Sequence, residues 1–333
     1  MSQSADLKST FSGARVMITG GLGFIGSTLA VRLVELGADV LLVDNLFPEY
    51  GGNTANIADI QHDVSVEITD IRDVRAMRGL LKGCRYLFNL AAQTSHLESM
   101  KDPETDLAIN GRAQLTMLAA CREVCPEIGI VYAGTRQIYG RPQYLPVDEK
   151  HPLHPVDVNG VNKMAGEAYH ILFHDAYGLK ATALRLTNTY GPRMRIKDGR
   201  QTFVGVWLRA VLEDKPFEVW DGGQIRDLTY VDDAAEAFLL AAATPQTAGR
   251  VFNIGGDRPI TLKDLAEALI AANGGGRYEL RGFPAERKRI DIGDYYADDA
   301  LFRAATGWSP SVPVGEGLKR SLDYFRRYLA DYV

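Results

Sequence analysis

A doubly wound α/β fold, with a parallel sheet covered by helices on both faces and a smaller C-terminal α/β substrate domain, is predicted by three features of the chain. Strand and helix signals alternate through its first half. The first strand runs into a glycine-rich turn that opens a helix, and the second strand ends on a carboxylate. The strand segments are short apolar, β-branched runs, as strands buried on both faces require.

The first strand is Arg15-Val16-Met17-Ile18-Thr19, and Gly20-Gly21-Leu22-Gly23-Phe24-Ile25-Gly26 follows it. Residues 27–36 then carry apolar side chains at helical spacing and stop at Gly37. Glycines 20, 23 and 26 thus sit where the backbone must turn tightly, admit a pyrophosphate and let helix pack on sheet. The helix N-terminus offers free N–H groups and the positive end of its dipole to the phosphates. Residues 38–43 form the second strand, and Asp44 ends it. A carboxylate there accepts hydrogen bonds from an adenosine ribose and repels a 2′-phosphate, so the pattern predicts NAD in a Rossmann-like sheet.

Residues 64–68, 85–90, 128–132 and 180–186 read as the third to sixth strands, with helices over 73–82, 103–124 and 160–177. Ligands bind beyond the carboxyl ends of such strands. The ends carrying Gly20, Asp44, Asp70, Ala91, Thr135 and Thr187 therefore converge on one crevice. This places an NAD-binding domain over 13–187 and a substrate-binding domain over 188–333, with residues about 228–256 as a segment that could return to the main sheet. The second half carries turn signals, helices over 202–213, 262–272 and 314–332, and a charged, exposed segment over 284–292.

Composition narrows the function classes. The net charge of −5 gives no reason to expect nucleic acid or an anionic membrane as partner. No apolar run approaches the ~18 residues that span a bilayer. Residues 1–12 are polar and read as a loose tail. Cys84, Cys121 and Cys125 form neither an even framework nor a metal pattern, so they read as core residues of a reduced, cytoplasmic protein. His170 and His174 are four apart without a glutamate next to the first, which reads as a partly exposed helix face rather than zinc. Asp232-Asp233 reads as a helix N-terminal pair and Gly274-Gly275-Gly276 as a flexible loop. No metal site is expected.

In the order Thr19–Gly26, Val43-Asp44-Asn45-Leu46, Asp70-Ile71, Asn89-Leu90-Ala91-Ala92, Asn110, Gly134-Thr135, Ile138-Tyr139-Gly140 and Asn162–Glu167, the chain resembles the extended short-chain dehydrogenase/reductases. Arg185–Pro192 and Arg226–Asp233 continue the match, which covers 14–330 and is specifically to the NAD-dependent nucleotide-sugar epimerases and dehydratases, as in UDP-glucose 4-epimerase-like enzymes. The resemblance implies that Gly20, Gly23, Phe24, Ile25, Gly26, Asp44 and Asn45 bind NAD, with Asp70 and Ile71 at the adenine. Leu90, Ala91, Ala92, Gln93 and Asn110 border the cofactor, and Lys163 binds the nicotinamide ribose. Thr135 fills the position of the family's Ser/Thr that holds the reacting hydroxyl. Asn188 and Arg226 match positions that touch a nucleotide-diphosphate sugar, and a homodimer through the helices near 103–124 and 160–177 is implied.

Two departures from the family pattern matter. The tyrosine that removes the hydroxyl proton stands four residues before the lysine, and here that position is Asn159. A neutral amide cannot take up a proton near pH 7. Either another group is the base (Lys163, Tyr139, Asp157 or a water held by Asn159), or the chain binds without fast catalysis, or the asparagine is itself an inactivating substitution. Asn159 also reads as a helix N-cap. Secondly, the acidic residues that follow the Ser/Thr in the dehydratases and decarboxylases are replaced by Arg136-Gln137. This argues against 4,6-dehydration and, less strongly, against decarboxylation, and leaves Arg136 either to hold an acidic substrate group such as a uronate carboxylate or to be a surface arginine or one paired with a local acid. C4 epimerisation of a hexose or uronate is the expected reaction, against a non-catalytic binder or a net oxidoreductase.

Overall fold

In the computed structural model, which describes residues 6–333, the alternating segments build one seven-stranded parallel sheet. Its strands are β1 (Arg15–Thr19), β2 (Asp39–Asp44), β3 (Val64–Ile68), β4 (Tyr86–Asn89), β5 (Gly129–Thr135), β6 (Lys180–Leu186) and the late segment Val251–Ile254. The spatial order is β3-β2-β1-β4-β5-β6 and then Val251–Ile254. The chain therefore winds outward from β1, crosses back over it to β4 and winds the other way. This opens a crevice at the carboxyl ends of β1 and β4.

The α-helices up to residue 243 are α1 (Leu7–Phe11), α2 (Phe24–Glu35), α3 (Val74–Leu80), α4 (His96–Lys101), α5 (Pro103–Asp106), α6 (Ala113–Val124), α7 (Val158–Tyr177), α8 (Phe203–Leu212) and α9 (Val231–Ala243), and four more follow among the described residues, Leu262–Asn273 and Val314–Tyr328 the longest. Alternate strand residues explain how they cover the sheet. Val16, Ile18, Val40 and Leu42 bury against Leu29 and Leu33 of α2 and Phe238 of α9. Met17, Leu41 and Val43 point the other way, onto a core with Met77, Met117, Leu118, Cys121 and Phe173 from α3, α6 and α7. The three cysteines are free and buried. A separate core around Tyr190, Trp207, Leu208, Phe217, Leu265, Leu318 and Phe325 organises the second half, and Phe24 of α2 belongs to it. The same helix that opens at the glycine turn thus abuts both cores.

Three sequence expectations change. The loose tail read over 1–12 is in part a helix: α1 is capped by Asp6, and Phe11 is fully buried at 5.0 Å from the Tyr86 ring. Residues 1–5 lie outside the described residues. His170 is not on an exposed face but has no exposed surface, stacked 4.3 Å from the Tyr132 ring. Its Nδ1 is 2.7 Å from the Gly166 carbonyl oxygen and its Nε2 is 3.3 Å from Asn89 Nδ2. Burial lowers its pKa to about 4, so it is a neutral core ring. The segment over 284–292 is not wholly exposed either, since Ile292 is buried and Asp291 accepts from Gln224 and Arg226.

One buried ion pair fixes α7 on the sheet. Arg185 of β6 donates through Nη2 and Nε to the two oxygens of Glu167 at 2.6 and 2.9 Å, and through Nη1 to the Tyr139 hydroxyl at 2.5 Å. Removing one member leaves a buried charge without its counterion. Glu167→Ala is expected to lower unfolding free energy by about 3–5 kcal/mol, read from urea denaturation. A loss below 1 kcal/mol would show that the pair does not hold α7.

Candidate active site

The crevice begins at the glycine turn. Gly20 has φ +68°, a conformation that favours glycine, and a Cβ on it would stand 3.0 Å from the Ala91 nitrogen. Its N–H and that of Gly21 donate to the Val43 carbonyl at 2.8 and 3.2 Å, which ties the turn to β2. A Cβ on Gly26 would overlap the Gly20 carbonyl oxygen. The N-cap of α2 is Gly23, which makes no side-chain cap bond. The orphan N–H groups of the first turn, at Phe24, Ile25 and Gly26 in the crevice wall, suit an anion.

Asp44 closes this end. Its oxygens accept from the Leu46 N–H at 2.9 Å and the Leu22 N–H at 3.2 Å. Burial raises its pKa against the lowering effect of these donors. Asn45 donates to Asp70 at 2.9 Å, and Arg72 grips Asp70 at 2.9 and 2.7 Å. The Arg72 guanidinium lowers the Asp70 pKa to about 2. Asp70 is thus fully ionised with its oxygens occupied, and Ile71 packs beside it in the wall.

The central wall depends on Thr19, whose hydroxyl accepts from the N–H groups of Leu90 and Ala91 at 3.1 and 3.2 Å and donates to Asn89 at 2.9 Å. Leu90, Ala91, Ala92 and Gln93 follow as the lining. The Gln93 carbonyl accepts from Asn110 Nδ2 at 2.9 Å and Asn159 Nδ2 at 2.8 Å. Asn110 is not in the lining; it braces Gln93 from behind.

The far end gathers Thr135, Arg136, Asn159, Lys163 and Asn188 into the same cleft. Lys163 is buried, with Nζ 2.5 Å from the Ala133 carbonyl oxygen and 4.4 Å from the Tyr132 ring centroid. Burial lowers its pKa to about 8, although Asp106 and Glu167 pull it upward. Arg136 is not a surface residue. Its Nη2 donates to Asn188 Oδ1 at 2.7 Å, its guanidinium lies 5.2 Å from the Tyr295 ring centroid, and Nη1 is buried without a hydrogen bond. Arg226 is outside the lining, where it donates to the Ile225 and Gly293 carbonyls, Gln224 and Asp291.

Asn159 is not the helix cap. That role belongs to Asp157, whose Oδ1 accepts from the Gly160 N–H at 2.6 Å. Asn159 instead directs Nδ2 to the Gln93 carbonyl and to Asp106 Oδ2, at 2.8 and 3.1 Å, and its own N–H to Ser99 Oγ at 3.2 Å. Its amide is wired into the wall. Of the substitute bases, Tyr139 is enclosed between Arg185 and Asn253 with its pKa raised to about 12 by burial, and it does not line the cleft. Sequence reasoning also missed parts of the wall. Tyr50, Gly51 and Gly52 flank Asp44, and Gln201 and Thr202 come from the second half. None of these carries a local signature, because only the fold brings them to the crevice. Thr187, expected at the crevice, does line it and is tied to Asp227 behind the wall.

A dinucleotide fits this construction: a side-chain-free turn, an uncapped helix start, a ribose-type carboxylate and small residues along the β4 exit. No group of three or more potential metal ligands occurs among the described residues, and none of their helices is long and apolar enough to cross a membrane.

Comparison with known proteins agrees with the geometry. Residues 16–255 match the model of the NAD dependent epimerase/dehydratase family. A putative UDP-glucose 4-epimerase of Methanocaldococcus jannaschii is 30% identical over 93% of this chain and 98% of its own. UDP-glucose 4-epimerase of Thermotoga maritima, solved with UDP-glucose, superposes with a TM-score of 0.85 at 30% identity, covering 95% of this chain and 99% of that one. UDP-glucuronic acid 4-epimerase of Bacillus cereus, solved with UDP-glucuronic acid and NAD, superposes with a TM-score of 0.83 at 25% identity over 94% and 99%. Glycine turn, carboxylate at the end of β2 and sheet order thus find their explanation together: the chain is an NAD-dependent member of the epimerase/dehydratase family.

Proposed function

We propose that the protein inverts C4 of a nucleotide-diphosphate sugar, a hexose or uronate, through a transient keto intermediate. The observation that carries this reading is the continuity of one cleft from the glycine turn and Asp44 to Thr135 and Lys163. Bound NAD supplies the hydride acceptor and donor. Gly20 to Gly26 hold its pyrophosphate, Asp44 its adenosine ribose and Lys163 the ribose nearest the chemistry. Thr135 orients the reacting hydroxyl, and the buried ammonium of Lys163 favours negative charge developing on that oxygen. Arg136 brings a guanidinium with an unpaired Nη1 beside Thr135, which supports an acidic group on the sugar. Arg226, whose own donors are taken by Ile225, Gly293, Gln224 and Asp291, adds positive charge behind Arg136 for the diphosphate end.

The test is chromatography of UDP-, GDP-, CDP- and dTDP-linked hexoses and uronates after incubation with purified protein. Interconversion of 4-epimers without stoichiometric NADH in solution is the expected result. Net NADH formation instead identifies an oxidoreductase. Retention of NAD and nucleotide sugar with no conversion identifies a binding protein, the reading favoured by the inability of Asn159 to accept a proton. We also propose a homodimer through the 103–124 and 160–177 region, where Leu107, Leu115, Val161 and Leu172 are exposed. Light scattering measures its mass directly.

A further inference from the structure

We infer that His96, backed by Asp157, is the acid–base residue of the epimerisation, in the role that Asn159 cannot fill. This rests on the proposed function above. His96 lines the cleft with Thr135, Asn159 and Lys163. Its Nδ1 is buried 2.9 Å from Asp157 Oδ2, while the side chain keeps 41% of its surface exposed, so the ring's open edge is the Nε2 side. Nδ1 has no other partner, so Asp157 Oδ2 is the polar group that faces it.

The carboxylate is built to stay charged. Asp157 is fully enclosed, and burial pushes its pKa up, but His96, the Gly160 N–H and the Gln137 amide outweigh that and leave it lowered. An ionised Asp behind Nδ1 fixes the tautomer and stabilises the imidazolium formed at Nε2. The placement accounts for the missing tyrosine. Asp157 and Asn159 share the first turn of α7, and His96 approaches that turn from α4, three residues beyond the Gln93 carbonyl that holds Asn159. Other charges at this end are Lys163 and Arg136 in the wall and Asp106 behind Asn159, while Glu98 and Lys101 of α4 pair with each other at 3.0 Å.

In the step, the sugar hydroxyl proton would pass to His96 Nε2, and NAD held by the glycine turn, Asp44 and Lys163 would supply the acceptor for the carbinol hydrogen with its electron pair, so that C–O becomes C=O. After the ring turns over, the cofactor would supply hydride to the other face of the carbon and His96 Nε2 would return the proton to the oxygen. His96 is the catalytic residue and Asp157 its positioning residue.

The experiment uses the NAD-loaded protein with the nucleotide sugar that it turns over. His96→Gln is expected to lower kcat at least about 100-fold with KM within about threefold, and to remove the acidic limb of the kcat–pH profile. Asp157→Asn keeps the helix cap and lowers kcat about tenfold. Imidazole in solution restores part of the rate to His96→Gly. Independently of turnover, diethyl pyrocarbonate labels His96 in the wild type, and the nucleotide sugar blocks that label but not those on exposed His62 and His154. A His96→Gln protein with wild-type kcat and pH profile, or a label indifferent to nucleotide sugar, overturns the assignment and leaves the epimerase reading intact. A wild type that converts no nucleotide sugar overturns both.

Discussion

Gly26→Ala is expected to empty the protein of NAD. The argument is one of space. An added Cβ at Gly26 overlaps the Gly20 carbonyl oxygen and comes to 3.0 Å from Gly21 Cα, so the turn has to move. It cannot move cheaply. Gly20 and Gly21 are bonded to Val43 across β2, and Gly20 itself approaches Ala91 to the limit of contact. Overpacking of this kind costs about 1–3 kcal/mol. The same displacement swings away the N–H groups of the α2 first turn, which are proposed to hold the pyrophosphate. NAD affinity is expected to fall about 100-fold or more, read by calorimetry and by the cofactor content of purified protein, with a lower melting temperature. Gly79→Ala is the matched control: it lies inside α3, its Cβ meets nothing within 4 Å, and it is expected to stabilise by about 0.5–1 kcal/mol. Full NAD content in Gly26→Ala would mean that the turn does not bind the cofactor.

Reading the sheet from sequence worked because its signals are local. Val16 and Ile18 face one layer and Met17 the other, but all three are apolar, so β1 is visible as a buried run without knowledge of its neighbours. The glycine turn and Asp44 are equally local, since each residue type answers a backbone or charge requirement at its own position. The reacting end was less legible. Arg136 and Asn188 are 52 residues apart and meet only because β5 and β6 are neighbours. His96 carries no signal of its own in the sequence, because nothing near it points to Asp157. Asn159 read as a cap because asparagine suits that role, yet Asp157 two residues earlier takes it and frees Asn159 to bond Gln93. The burial of His170 was missed for a related reason. A histidine on a helix has an obvious solvent-facing explanation, whereas its actual partners, Tyr132 and Asn89, come from two strands.

Lys163→Met is expected to lower turnover about 10²–10³-fold while making the protein without cofactor more stable near neutral pH. Burial lowers the pKa of this lysine from 10.5 to about 8. A depressed lysine pKa is a cost to the folded state: below about pH 8 both states are protonated and the folded one carries a desolvated cation. Such a shift corresponds to roughly 3 kcal/mol. Methionine removes the cation but also forfeits the bond to the Ala133 carbonyl and the contact with the Tyr132 ring, each worth about 1 kcal/mol. The variant is therefore expected to gain about 1 kcal/mol in urea denaturation at pH 7. As pH rises from about 8 toward 10.5 the wild type sheds its penalty, so the gain vanishes and then reverses. Turnover is expected to respond oppositely: in the proposed reaction the ammonium favours charge on the reacting oxygen, and losing such a donor lowers kcat by about 10²–10³. A variant that loses stability at pH 7, or whose advantage grows with pH, would show that Lys163 is not held as a strained cation. The two measurements together separate a lysine placed for chemistry from one placed for the fold, since only the former costs stability where the enzyme works.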